Sequence, residues 1–198
     1  RDGAVAYADV GRKSVICLSG TNEVVFPVNA YPGRPVFSPD SRWLACPSLE
    51  SADSMVYDRQ NPTAAPSRLP EPKTTPIFTP DGEWLLNFDT QAALRRVGTW
   101  EAGPTLPLDR QSADWMTAAI SADGHWLVVT QHKQEVHLID LLTRQTAAVL
   151  NSPGEGRIFG LAFSPDGQTL VIARQLGQLQ FWKLPKLRAA LAKLGLDW

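Results

Sequence analysis

A surplus of charge is the first thing this 198-residue sequence lacks: 19 basic side chains stand against 20 acidic ones, for a net charge of −1. Chains that hold nucleic acid or an anionic membrane through bulk charge carry a basic excess, so no nucleic-acid partner is expected. Long apolar runs are missing too. None nears the roughly 20 residues that a membrane-spanning helix needs, so no membrane segment is expected. Cysteine is scarce, with Cys17 and Cys46 the only two. Both lie inside apolar runs, without the Cys/His spacing of a zinc site, and two are too few for a disulfide framework, so they read as buried thiols. Neither a P-loop or dinucleotide-type glycine motif nor a G-x-S-x-G elbow occurs, and no cofactor is expected. No charged leader, apolar stretch and small-residue cleavage site come together near Arg1, which leaves the compartment open, with the cytoplasm favoured.

What is abundant is punctuation. Sixteen prolines and 14 glycines are spread along the whole length, which favours many short elements joined by turns over a few long helices. One phrase returns at a fixed period: Phe37-Ser38-Pro39-Asp40, Phe78-Thr79-Pro80-Asp81-Gly82, Ile120-Ser121-Ala122-Asp123-Gly124 and Phe163-Ser164-Pro165-Asp166-Gly167. Its aspartates are 41, 42 and 43 residues apart. A fifth copy begins at Asp2-Gly3. Ser or Thr, then Pro, Asp and Gly, suit a type I turn whose last residue is left-handed, so turns are predicted at 2–3, 38–41, 79–82, 121–124 and 164–167. A short apolar run precedes each turn and another follows it, as in Trp43-Leu44-Ala45-Cys46 and Trp126-Leu127-Val128-Val129. Runs this short and this apolar are strands buried on both faces. A third, alternating segment follows (Met55 to Asp58, Val97 to Glu101, Val136 to Asp140, Leu179 to Lys183), and a fourth completes the unit, as in Thr146 to Leu150. Four strands per forty-odd residues make one propeller blade. The expected fold is an all-β propeller of four-stranded blades. About five blades are represented in residues 1–184, the first without its inner strand and the last ending after its third.

With its S/T-P-D-G turn, its following W-L or T-L pair and its third strand ending in an aromatic and a polar residue, the sequence resembles the bacterial WD-repeat family of β-propellers. Tyr57-Asp58, Trp100-Glu101, Ile139-Asp140 and Trp182-Lys183 stand where Trp-Asp would. The resemblance implies a ring of about seven blades, of which this chain is a part. Past Trp182 the period changes. Leu184, Leu187, Leu191 and Leu194 share one face of a helix expected over 185–198, begun by Pro185 and capped by Gly195, with Leu196 folding back on Leu191. Its last residues, Leu191 to Trp198, resemble the tail after the final repeat of large bacterial proteins, many of them receptor-type Ser/Thr protein kinases.

Little in the sequence points to catalysis. His132 and His137 are five apart, a spacing that suits neither one strand face nor a helical zinc pair. Each repeated Asp is explained by its own turn. Trp43, Trp84 and Trp126 recur at one repeat position and are expected to pack between blades. The expected role is a non-catalytic scaffold for a protein or peptide partner, with oligomeric state left open. The alternatives are a sensory or substrate-recruiting region of a Ser/Thr kinase and a stand-alone propeller hydrolase or lyase. Recognition concentrates on loops set on a rigid scaffold, where aromatic and arginine side chains dominate. The candidate contact residues are Tyr31, Arg34, Trp115, Arg157 and Phe159 in loops before inner strands, with His132 and Arg174 from the loops between second and third strands.

Overall fold

Successive side chains of a β-strand point to opposite faces, so a consecutive apolar run stays out of water only if both faces of its sheet are covered. The computed structural model, which describes residues 3–28, 31–50, 53–70, 76–88, 92–108, 117–132 and 134–195, meets that requirement with five antiparallel sheets, each built from consecutive strands. The chain divides into two compact units, Arg1–Thr105 and Leu106–Trp198. In the first unit, β1 (Val5–Asp9), β2 (Ser14–Ser19) and β3 (Asn22–Pro27) form a three-stranded sheet. Two four-stranded sheets follow it. One comprises β4 (Val36–Phe37), β5 (Trp43–Pro47), β6 (Ser54–Asp58) and β7 (Ser67–Leu69); the other comprises β8 (Ile77–Phe78), β9 (Trp84–Phe88), β10 (Ala92–Arg96) and β11 (Ala102–Thr105). The second unit holds the four-stranded sheet β12 (Ala118–Ile120), β13 (Trp126–Thr130), β14 (Glu135–Asp140) and β15 (Gln145–Asn151). It also holds the three-stranded sheet β16 (Ile158–Phe163), β17 (Thr169–Arg174) and β18 (Leu179–Lys183), followed by helix α1 (Leu184–Ala192). The architecture is all-β, made of propeller blades, with one short C-terminal helix.

The repeated turn is closed by its own side chains. In each of four copies the residue after Asp donates its N–H to the carbonyl three back: Ser41 to Ser38, Gly82 to Thr79 and Gly124 to Ser121 at 2.9 Å, and Gly167 to Ser164 at 2.8 Å. That residue is left-handed, at φ +74° in Gly82, +75° in Gly124 and +68° in Gly167, and at +61° in Ser41, which stands where the others have glycine. The hydroxyl does two jobs. It donates to the Asp carboxylate at 2.5 Å in the pairs Ser38/Asp40, Thr79/Asp81, Ser121/Asp123 and Ser164/Asp166. It also accepts the first strand N–H beyond the turn, from Trp43, Trp84, Trp126 and Thr169, at 2.8–3.0 Å. The carboxylate accepts the N–H just before that one, from Arg42, Glu83, His125 and Gln168, at 2.9–3.0 Å. Only a hydroxyl can donate and accept at once here, which explains why Ser and Thr alternate at this position and nothing else appears.

Packing between sheets follows from strand alternation. Leu44 and Cys46 of β5 join Val15, Cys17 and Phe26 of the first sheet in one buried cluster. Ala45, between them in sequence, joins Phe78 and Leu85 of the third sheet in another. The middle sheet is thus covered on both faces. Tyr57 packs on Phe26 at 4.8 Å between ring centres and donates its hydroxyl to the Pro27 carbonyl at 2.8 Å. Trp43 meets Trp100 edge-on at 5.1 Å, and the Arg42 guanidinium lies 4.6 Å over Trp43 while pairing with Asp58 at 2.8 Å. In the second unit, Val128 and Leu138 pack with Leu170 and Ile172, and Trp126 and Trp182 lean on them. Both cysteines are free and buried, and burial pushes the Cys46 thiol up to about 12, which leaves it unreactive.

The helix departs from expectation at its end. Leu184, Leu187 and Leu191 are half-buried, but Leu194 lies beyond the helix and is 72% exposed. Gly195 is left-handed at φ +71° as predicted, yet the last bonds run from Leu194 N–H to Leu191 and from Gly195 N–H to Ala192, a tightened final turn. The predicted Leu196–Leu191 contact lies outside the described residues.

Two tests follow from the turns. A Cβ at Gly167 would meet nothing within 4 Å, so Gly167→Val is a pure backbone penalty of about 1 to 3 kcal/mol, while Ser41→Gly is neutral or slightly stabilising; urea unfolding of both variants measures the difference. The hydroxyl beside each carboxylate holds Asp40, Asp123 and Asp166 below the usual aspartate range. A carboxylate with a lowered folded pKa stabilises the fold above its unfolded pKa of about 4 and loses that contribution as pH falls through the folded value. The Asn triple variant at these positions will therefore lose less melting temperature between pH 7 and pH 3 than the parent.

Candidate functional site

Loops that lead into inner strands are pinned by backbone bonds, which fixes what they display. In the first unit, the Gly33 N–H donates to the Pro47 carbonyl at 2.7 Å and the Leu49 N–H to Tyr31 at 2.8 Å. A Cβ on Gly33 would come within 2.9 Å of the Pro47 ring, so only glycine permits this approach. Tyr31 is left 41% exposed with the Lys13 ammonium 5.6 Å from its ring centre, and Arg34 is exposed beside it. In the second unit, a register shift between Ile158 and Gly160 in β16 leaves Phe159 61% exposed. The Arg157 carbonyl accepts the Gln175 N–H at 2.9 Å, placing Arg157 next to Phe159 at the same strand end. His132 is exposed on the β13–β14 connection, 3.9 Å from Glu135. Trp115 lies outside the described residues.

The other histidines have structural surroundings. His125 stacks on Trp126 at 4.4 Å and lies 3.5 Å from Asp140. His137 is 3.5 Å from Glu135, and burial holds its pKa below the ordinary histidine value. Among the described residues, no group of three or more His, Cys, Asp or Glu side chains converges.

Arg174 requires a correction. Expected as a partner contact, it is 3% exposed and is committed to holding a loop. Its guanidinium donates to the Ser152 carbonyl at 3.0 Å, the Ser152 hydroxyl at 2.6 Å, the Gly154 carbonyl at 2.6 Å and the Gly156 carbonyl at 2.9 Å. Gly154 and Gly156, at φ +108° and +84°, let the loop present those carbonyls to one centre. A buried cation without a carboxylate partner is tolerated when most of its donors are met, as both terminal nitrogens are here, although the Nε–H is buried without a partner. The same loop is tied to β18: the Ser152 hydroxyl donates to Gln180 Oε1 at 2.8 Å, and Gln180 Nε2 donates to the Pro153 carbonyl at 2.5 Å.

Pro153 of that loop also borders a groove of about 500 Å³ in the second unit. It is lined by Leu150, Asn151 and Pro153, by Phe181, Trp182 and Lys183 of β18, and by Lys186 and Leu187 of α1. The sequence carried two signals for it, a last repeat ending after its third strand and a basic helix directly behind. Chemically the groove combines apolar walls, two ammonium groups and a strand edge. Replacing Arg174 by Lys leaves one point charge to serve carbonyls spread over five residues. It will cost about 2 to 4 kcal/mol in urea unfolding, against about 1 kcal/mol for Ser152→Ala, whose loss leaves the guanidinium its carbonyl partners.

No protein-family model matches the chain, and no curated protein matches it. Among solved structures it is similar to Kuenenia stuttgartiensis hydrazine synthase, at 18% sequence identity and a TM-score of 0.69, over 87% of this chain and 53% of that one. The chain thus spans about half the length of that neighbour, an enzyme with β-propeller domains. At this identity the likeness carries the fold and no activity. Sequence period, sheet order and structural likeness agree on one conclusion: the chain is built of β-propeller blades.

Proposed function

We propose that this chain is a non-catalytic interaction module, a WD-repeat-type propeller segment that offers blade-end loops to a protein or peptide partner. The observation that carries this reading is Phe159, a large aromatic side chain turned to water by a strand irregularity, with Arg157 beside it on a loop anchored by backbone bonds. Leaving a phenylalanine in water forgoes about 1.5 to 3 kcal/mol of burial, which a partner's surface recovers on contact. In the first unit Tyr31 and Arg34 repeat the combination of aromatic and arginine before an inner strand. Rigid aromatic and arginine side chains are the residue types that dominate interface energy. The neighbouring β16–β17 backbone is fixed by the Arg174 loop, so a partner would meet a preformed surface.

The test is affinity capture from lysate with the chain and with Phe159→Ala and Tyr31→Ala. Each substitution should weaken retention of specific partners by roughly 1 to 4 kcal/mol, from about fivefold to about seven-hundredfold in Kd, with unchanged circular dichroism. Retention of every partner by both folded variants would exclude these loops as the contact surface.

A further inference from the structure

One arrangement recurs in three of the sheets: a side chain able to carry positive charge lies over the indole that opens the second strand and pairs with a carboxylate on the neighbouring strand. In β4–β7 the Arg42 guanidinium lies 4.6 Å over Trp43 and meets Asp58 at 2.8 Å. In β8–β11 the two charges exchange strands. Arg96, at the end of β10, lies 5.2 Å over Trp84 and meets Glu83, the residue after the turn, at 3.2 Å. In β12–β15 the place of Arg42 is held by His125, stacked on Trp126 at 4.4 Å with 20° between the rings, and 3.5 Å from Asp140. The match to Arg42 extends to the backbone. Each donates its N–H to the turn aspartate, Asp40 or Asp123, at 3.0 Å, and each following Trp stands opposite the last residue of the third strand, Asp58 or Asp140. In two sheets the cation is permanent; in this one it is titratable.

Two carboxylates face the imidazole, Asp123 from the turn before it and Asp140 from the end of β14. The Ser121 hydroxyl and the His125 N–H hold the Asp123 carboxyl below the usual range. At Asp140 burial pulls upward and is outweighed by the Thr143 and Leu142 N–H groups, which donate to Oδ1 at 3.1 and 2.7 Å, so this carboxyl too is held low. The same residues tie down the β14–β15 turn. The Leu141 N–H bonds the His125 carbonyl at 2.9 Å, and the N–H of the exposed Arg144 closes the turn on the Asp140 carbonyl at 2.7 Å. The Asp140 carboxylate is thus shared between the imidazole and a turn that carries the exposed Leu142.

We propose that His125 is a pH-operated fastening of the β12–β15 sheet: on protonation its imidazolium takes the role that Arg42 plays permanently, closing on Asp140 and the Trp126 face and tightening the β14–β15 turn. Imidazoles take up their proton between pH 8 and 5, a range in which guanidinium groups and carboxylates keep their charges, so of the three pairs this one changes there. The added attraction is present at low pH and is lost as pH rises through the imidazole's titration. Both groups are partly exposed, which limits the gain to that of a surface ion pair, about two- to fivefold in the local opening equilibrium. Tyr31, Arg34, Arg157 and Phe159 take no part, so this reading and the interaction reading stand or fall separately.

The experiment uses the full chain, with His125→Gln as a neutral counterpart and His125→Arg as a permanently charged one. Amide exchange at Leu141, Leu142 and Thr143 is read by NMR at pH 5.5 and 7.5, each variant being compared with the parent at the same pH so that the intrinsic pH dependence cancels. At pH 5.5 the parent should exchange about two- to fivefold more slowly than His125→Gln and match His125→Arg. At pH 7.5 it should approach His125→Gln while His125→Arg stays slow. A parent-to-Gln ratio that is the same at both pH values, or an Arg variant as fast as the Gln variant at pH 5.5, would overturn the proposal. In an Asp140→Asn background the parent-to-Gln difference at pH 5.5 should fall by at least half; persistence in full would mean that Asp140 is not the partner, and the proposal fails. The parent alone decides if a variant does not fold: protection of the three amides must rise along the titration of the His125 ring protons, and protection that ignores that titration sinks the idea.

Discussion

The bond on which the blades depend is the one between a hydroxyl and a carboxylate two residues apart. Ser38, Thr79, Ser121 and Ser164 each hold an aspartate at 2.5 Å, and hydroxyl and carboxylate accept one each of the two backbone N–H groups that lead into the next strand. A turn whose donors are met internally needs no partner elsewhere, so it can recur at the same place in blade after blade while the residues around it vary. It also sets register. A strand that starts one residue late would send its whole apolar set to the wrong face, and here the first strand residue is fixed by a hydroxyl five positions earlier.

With register fixed, the consecutive apolar residues of each central strand divide between two layers, as Leu44 and Ala45 do in β5. The blades then need no long hydrophobic element, and their loops are free to carry polar and aromatic residues without disturbing the core. The loop at 152–156 shows how such a connection is made rigid. Three carbonyls and a hydroxyl converge on Arg174, and Gln180 ties the same loop to the neighbouring strand. Its rigidity shapes both the strand end that displays Phe159 and the wall of the groove beside β18.

The fold was legible because its signal is periodic. Four copies of one turn and four of one apolar run locate the strands even where a single copy is ambiguous, and the left-handed Ser41 follows from its place in the phrase. The candidate site was legible only in part. Tyr31, Arg34 and His132 are exposed on connections, whereas Phe159, expected in a loop, is exposed from within β16 by a register shift that no residue type announces. Arg174 was misplaced because burial of a cation depends on carbonyls supplied by residues about twenty positions earlier, and backbone acceptors leave no trace in side-chain identity. Leu194 was assigned to the helix stripe on spacing alone, and the helix stops two residues before it. The groove left only two indirect signals, a last repeat that ends after its third strand and a basic helix behind it, because it exists only where the end of one blade, the edge of the next and a helix meet.

Layered packing has a consequence for how the first unit comes apart. The sheet β4–β7 shares one cluster with the sheet before it and another with the sheet after it, so freeing β5 means breaking both, while the β1–β3 sheet takes part in only the first of these clusters. Stability in such a stack is a sum over nearest-neighbour interfaces. Opening therefore begins at the outer member and moves inward, and the slowest-exchanging amides of this unit belong to the strand whose adjacent residues look in opposite directions.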